Sequence, residues 1–116
     1  MHQSDDLKRC IDNCRECHKV CQETLTYCLE EGGKHAEATH LATLLACADI
    51  CSTSANFMTW RIDLHPQVCG VCAEMCERCA DSCEAFKGDE TMRRCAEVCR
   101  RCAQSCTAMA GAAAGH

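Results

Sequence analysis

The cysteines of this chain advance in steps of three and four. Leu7, Cys10, Cys14, Cys17, Cys21 and Cys28 are separated by 3, 4, 3, 4 and 7 residues. Cys69, Cys72, Cys76, Cys79, Cys83 and Phe86 step by 3, 4, 3, 4 and 3, and so do Met92, Cys95, Cys99, Cys102, Cys106 and Met109. A run between them keeps the rhythm with only two thiols: Leu44, Cys47, Cys51, Ser54 or Ala55, Met58 and Ile62. Alternating steps of three and four trace the stripe that an α-helix turns toward its partners in a bundle. A strand would alternate with period two. The spacing therefore predicts helices whose shared interior is lined by sulfur.

Turn signals divide the chain. Gly32-Gly33 is a helix stop. His65-Pro66 places proline at the start of a helix. Gly88-Asp89 is a turn with Asp89 as N-cap. Ser4-Asp5-Asp6 offers a cap and acidic residues for the first helix, and Gly111 ends the last one before a frayed tail, 111–116. The pieces are 5–31, 36–61, 66–86 and 90–110. Each is too long for a strand and rich in good helix formers. Short connections favour antiparallel neighbours. The expected fold is all-α: one domain over 1–116, an antiparallel up-down-up-down four-helix bundle with a cysteine-lined core.

Composition makes the cysteines the core rather than an addition to it. Sixteen of 116 residues are Cys, and Leu, Ile, Val and Phe together supply only sixteen more. The charged residues Glu77, Arg78, Asp81, Arg93, Arg94, Glu97, Arg100 and Arg101 fall between the seam positions, on faces left to solvent. A net charge of -5 and four aromatic residues argue against nucleic acid. No uninterrupted run long enough to span a membrane is present, and the N-terminal residues lack the apolar stretch of a secretory leader. The expectation is a chain of the reducing cytoplasm, where structural disulfides are rare.

Packing alone does not explain so many thiols. Leucine at the same positions would bury more apolar area, at about 25 cal/mol per Å2. Disulfides are disfavoured by the compartment, and by i,i+4 pairs whose Cβ vectors run parallel. Metal remains. Thiolates select Cu(I), Zn(II) or iron–sulfur clusters. The pairs Cys14/Cys17, Cys69/Cys72, Cys76/Cys79 and Cys99/Cys102 match cluster motifs only superficially, because straight helices do not wrap a cluster. Zinc needs four ligands in a tetrahedron, which two thiols from each of two helices could supply. Cu(I) accepts two or three thiolates, and bridging thiolates bring the metal-to-thiol ratio toward one. Because unpaired buried thiolates are costly, about sixteen Cu(I) per chain are expected, give or take several.

The segments Cys69-Gly-Val-Cys-Ala-Glu-Met-Cys-Glu-Arg-Cys-Ala-Asp-Ser-Cys83 and Cys95-Ala-Glu-Val-Cys-Arg-Arg-Cys-Ala-Gln-Ser-Cys106 resemble the copper storage proteins. These are cysteine-lined four-helix bundles that hold many Cu(I) ions, and the likeness spans residues 7–110. It implies a homotetramer of bundles of the cytosolic, leaderless type. It implies Cu(I) ligation by Cys10, Cys14, Cys17, Cys21, Cys28, Cys47, Cys51, Cys69, Cys72, Cys76, Cys79, Cys83, Cys95, Cys99, Cys102 and Cys106. The family receives copper through Met or His near a bundle mouth. One end of the expected bundle gathers Cys10, Met58, His65, Cys69, Cys106 and Met109; the other gathers Cys28, His40, Cys83, Met92 and Cys95. The first is favoured for uptake, with His65, Met58 and Met109 as added ligands, because Leu41, Leu44 and Leu45 look like a plug at the second. His2, His18, His35 and His116 are expected at the surface. Tyr27, Phe57, Trp60, Leu29, Leu41, Leu45 and Leu64 are expected to form an outer apolar patch suited to contact between copies.

The expected function is non-catalytic storage or buffering of intracellular Cu(I). No set of residues resembles an activated nucleophile with its base. Zinc or general soft-metal sequestration is the alternative within the binding class. A thiol redox sensor would need exposed, low-pKa cysteines beside basic groups, and only Arg100 and Arg101 beside Cys99 and Cys102 suggest one. A metallochaperone would need one exposed transferable site rather than a filled core.

Overall fold

The computed structural model describes residues 2–114, with side chains described from Asp5 to Gly111. Four helices follow in order: α1 (His2–Glu31), α2 (Ala38–Thr59), α3 (His65–Glu84) and α4 (Glu90–Ala114), with a 3-10 turn, Gly33–Ala36, before α2. Each packs on its two neighbours around a square, α1 on α2 and α4, α3 on α2 and α4. This is the up-down-up-down arrangement. The molecule measures 46 × 21 × 19 Å. Its long dimension is that of α1, since thirty helical residues rise about 45 Å.

Helix ends follow the local chemistry. Gly32 takes φ 72°, and its N–H reaches Cys28 C=O at 3.1 Å, closing α1 with a left-handed cap. Pro66 lies in the first turn of α3, as expected. Asp89 Oδ1 accepts the Met92 N–H at 3.1 Å and caps α4. Other boundaries differ from expectation. The first helix begins at His2, so Ser4 lies within it rather than capping it. The 3-10 turn takes residue 36, and α2 starts at Ala38. The second helix stops at Thr59, through Arg61 at φ 57°. Arg61 N–H bonds Met58 C=O at 3.2 Å and Ile62 N–H bonds Phe57 C=O at 3.0 Å, a Schellman closure without glycine. Gly111 does not end α4, which runs on to Ala114. Alanine on both sides offsets the low helix propensity of one glycine.

Every seam cysteine is buried, as are Leu44, Ser54, Ala55, Met58 and Met92. Leu7, Phe86 and Met109 pack half-buried against this core, while Ile62 lies outside it on the turn. By length and composition alone α2 could cross a membrane, which the sequence reading discounted. Here it is a bundle helix with the face from His40 to Met58 turned inward.

The charges lie outside and link helices. Arg100 donates to Glu77, Asp81 and Glu84 at 2.9, 2.8 and 2.6 Å, joining α4 to α3. Arg101 reaches Glu16 of α1 at 3.0 Å.

Of the expected apolar patch, Trp60, Leu29, Leu45 and Leu64 are exposed. Tyr27 and Leu41 instead pack half-buried against the core. His18 and His35 are also half-buried rather than exposed: His18 Nδ1 lies 2.7 Å from Ala48 O, and His35 Nε2 lies 2.9 Å from Asp89 Oδ2. The side chain of His2, and His116, lie outside the described residues.

Candidate metal centre

The heptad stripe of each helix points its sulfurs at the bundle axis, and all sixteen thiols are free and buried. In the middle of the bundle they meet across helices. Cys51 of α2 lies 3.7 and 3.5 Å from Cys72 and Cys76 of α3, and 3.8 Å from Cys102 of α4. Cys17 of α1 lies 3.9 Å from Cys47, 4.0 Å from Cys76 and 3.7 Å from Cys99. Toward the α1 N-terminus, Cys106 lies 3.6 Å from Cys10 and 3.5 Å from Cys14, and Cys14 lies 3.6 Å from Cys102. A disulfide needs about 2.05 Å between sulfurs. A metal ion with bonds of about 2.3 Å needs about 3.8 Å in a tetrahedron and about 4.0 Å in a triangle. The observed spacing is far too long for disulfides, and is that of thiol–thiol contact and compatible with shared coordination.

Four-sulfur groups with all sulfurs within 4.8 Å of one another include Cys14/Cys72/Cys102/Cys106, Cys17/Cys21/Cys47/Cys99, Cys17/Cys47/Cys51/Cys76, Cys21/Cys79/Cys95/Cys99 and Cys51/Cys72/Cys76/Cys102. Cys17, Cys21, Cys47, Cys51, Cys72, Cys76, Cys99 and Cys102 each belong to two of these. The twelve sulfurs of these groups therefore form one connected network. Shared membership suits thiolates that bridge neighbouring ions.

Without metal, the lattice is one of thiols hydrogen-bonded to thiols. Cys51 is held above its ordinary pKa by Cys102 and other sulfurs, with burial adding to them, and Cys99 likewise by Cys17. Cys47 donates its S–H to Cys76 at 3.7 Å and meets Cys17 at 3.9 Å. Burial pushes the Cys28 thiol up to about 11.

The two ends differ. At the α1 N-terminal end, Cys69 sits 3.4 Å from the Ser54 hydroxyl and is raised by contact with Cys10. Met58 is fully buried and Met109 half-buried. His65 is the first residue of α3, and its Nδ1 is enclosed with no hydrogen-bond partner among the described residues.

At the opposite end, Cys28 Sγ lies 3.4 Å from His40 Nε2 and 3.7 Å from Met92 Sδ. His40 is buried, its Nδ1 is 2.6 Å from Ser82 Oγ, and desolvation lowers its pKa, which favours the neutral ring. The expected leucine plug is incomplete: Leu44 is buried, but Leu45 points to solvent. From sequence, His40 and Met92 belong to this end of the bundle but not to the expected ligand set. His40 does carry a signal there, preceding Leu44 and Cys47 by steps of four and three. The buried Thr24 fills the seam three residues after Cys21 and four before Cys28, a place the spacing marks, whereas Ser82 gave no signal of its own.

The sequence profile of the copper storage protein family matches residues 3–111. The chain belongs to that family. A Bacillus subtilis relative, the uncharacterized cysteine-rich protein YhjQ, is 34% identical over 74 residues, which is 64% of this chain and 68% of that one. Among solved structures, the Nitrosospira multiformis protein Nmul_A1745 is 46% identical with a TM-score of 0.89, covering 94% of this chain and 98% of that one. The Cu(I)-bound copper storage protein BsCsp3 is 31% identical with a TM-score of 0.84, covering 90% and 98%. The cytosolic copper storage protein from Streptomyces lividans, solved with five coppers, is 29% identical with a TM-score of 0.79, covering 92% and 93%.

Proposed function

We propose that this chain stores Cu(I) in its core, with the sixteen cysteines as ligands. The observation that carries the reading is the connected network of buried sulfurs whose four-membered groups share members. Isolated tetrahedral zinc sites would use each thiol once. Bridged Cu(I) uses each thiol twice and reaches neutrality near one metal per thiolate, about sixteen per chain, which removes the penalty of buried unpaired charge. The Cu(I)-bound form of BsCsp3 supports this reading. Met58, Met109 and His65, whose Nδ1 has no partner among the described residues, are added candidate ligands at the α1 N-terminal end.

The role is storage rather than catalysis, with copper ions as the cargo. The free thiols suit a reducing cytoplasm, and the Streptomyces lividans neighbour is a cytosolic protein. A homotetramer is the expected assembly; exposed Trp60, Leu29, Leu45 and Leu64 offer apolar surface for it.

An anaerobic titration of the reduced chain with Cu(I), against a chromophoric Cu(I) chelator, tests the function. Uptake well above four Cu(I) per chain and approaching the thiol count is expected. Saturation near four Zn(II) in a parallel titration, with little further capacity for Cu(I), would overturn it.

A further inference from the structure

Two sets of three sulfurs close into triangles, and both are built the same way. Cys72 and Cys76, one turn apart on α3, stand 3.9 Å from each other, and Cys51 of α2 lies 3.7 and 3.5 Å from them. Cys17 and Cys21, one turn apart on α1, stand 4.0 Å from each other, and Cys99 of α4 lies 3.7 and 3.8 Å from them. The triangles have no sulfur in common, and all six side chains are buried. A flat three-coordinate ion with bonds of about 2.3 Å would hold its sulfurs about 4.0 Å apart. A pyramidal centre with the same bonds holds them closer, and five of the six edges are shorter than 4.0 Å. Charge then decides which centre suits. Three thiolates in this interior carry three negative charges, and buried unpaired charge is costly. A lone Cu(I) in a triangle would leave two of them and a lone Zn(II) one, whereas a trivalent centre leaves none. Arsenic(III) is trivalent, soft and pyramidal, and its lone pair takes the fourth direction, so it needs no fourth ligand.

We propose that the Cys51/Cys72/Cys76 and Cys17/Cys21/Cys99 triangles each bind one trivalent arsenic centre, taken up as neutral arsenous acid. This goes beyond copper storage and needs only the free thiols. At each triangle three S–H protons join the three hydroxyls of As(OH)3 and leave as three waters, while three As–S bonds replace three As–O bonds. Arsenic stays trivalent, no electron is transferred and no net proton is released. The product carries no charge, so a buried triangle holds it without a counterion. Arsenous acid is itself uncharged at pH 7, so it enters the interior without the desolvation cost that a cation meets. A third triangle, Cys17, Cys47 and Cys76 with edges of 3.9, 4.0 and 3.7 Å, takes one sulfur from each of the other two. It competes with both rather than adding to them, so the two separate triangles set a count of two arsenic centres per chain.

The test adds sodium arsenite to the reduced, metal-free full chain under anaerobic conditions and follows uptake by native mass spectrometry. Each bound centre should add the mass of one arsenic less three hydrogens, and the titration should break at two per chain. X-ray absorption at the arsenic edge should show three sulfurs and no oxygen around each arsenic. Cys76→Ser and Cys99→Ser should each take up one centre, and the double variant should lose both. Far-UV circular dichroism of each variant separates loss of a site from loss of fold, and the absorption measurement on the wild-type chain needs no variant. No uptake, oxygen retained around the arsenic, or two centres still bound by both single variants would overturn the proposal. Filling without a break up to five, the most that sixteen thiols taken in threes can hold, would mean that the thiols react without regard to the triangles, and would overturn it as well. Failure of a parallel Cu(I) titration would end the storage reading and leave the arsenic sites standing.

Discussion

A thiol in this core is asked to be two things, a neutral packing group without metal and an anion with it. Cys28 shows the tension most simply, because burial is the largest cause of its pKa near 11, with neighbouring acidic groups adding to it. The folded state therefore keeps its proton where an unfolded thiol, with an ordinary value of 9.0, has lost it. A raised value means that the folded chain binds more protons between those two pH values. The stabilisation is complete below pH 9 and falls as pH rises through about 11. From the gap between 9.0 and 11, the loss is about 3 kcal/mol for this one group. Chemical denaturation of the reduced apo chain should show constant stability from pH 7 to about 8.5 and a steady fall above that. In Cys28→Ser, whose hydroxyl does not titrate there, the fall should be shallower. An equally steep fall in the variant would remove Cys28 as a cause.

At the scale of the helices, Asp89 is the residue that ties most together. Its Oδ1 caps α4, while its Oδ2 accepts the Tyr27 hydroxyl of α1 at 2.8 Å and faces His35 of the 3-10 turn. Burial acts to raise its pKa, but the bonds from His35, the Met92 amide and Tyr27 outweigh burial and hold the carboxyl low. Asp89→Ala should cost about 1–2 kcal/mol by urea denaturation, the upper range for a lost N-cap. A loss within error of zero would mean that the turn needs no anchor. The opposite case is Arg61, whose φ of 57° makes an L-residue close α2 where glycine is at ease. Arg61→Gly should stabilise the chain by about 1 kcal/mol, and a lower urea midpoint would show that the arginine side chain contributes more than its backbone loses. The same two positions explain what was legible. Asp89 after Gly88, Gly32-Gly33 and Pro66 announce their boundaries in the residue type. Arg61 does not, so the expected α2 ran on to residue 61, and Gly111 misled because alanines around it carry the helix onward. The sulfur stripe was legible because it repeats on the helical period in three helices. His40 is hidden in the sequence by Leu41, Leu44 and Leu45, whose i, i+3, i+4 spacing reads as one apolar plug, whereas Leu45 points outward.

For the molecule as a whole, the bundle is expected to fold before it takes up metal. Neutral thiols are tolerated inside, and its helices, caps and external ion pairs owe nothing to an ion. The apo chain should therefore keep a helical circular dichroism spectrum, and metal should add stability by binding only the folded form, about 4 kcal/mol when free metal exceeds the dissociation constant a thousandfold at one site. The stronger discriminator is the proton count. Thiols that are neutral at pH 7 must release their protons to bind. A lattice of bridged Cu(I) at one ion per thiolate releases about one proton per metal, and a tetrahedral Zn(II) site releases about four. A weakly buffered, anaerobic titration that follows pH and bound metal together reads this ratio directly. A value near one, held nearly constant until the core is full, is the expected outcome for a shared-sulfur store. A value near two throughout would mean that each Cu(I) takes two unshared thiolates. The core would then hold half as many ions and keep a buried negative charge, and the bridging argument from shared sulfur groups would be lost.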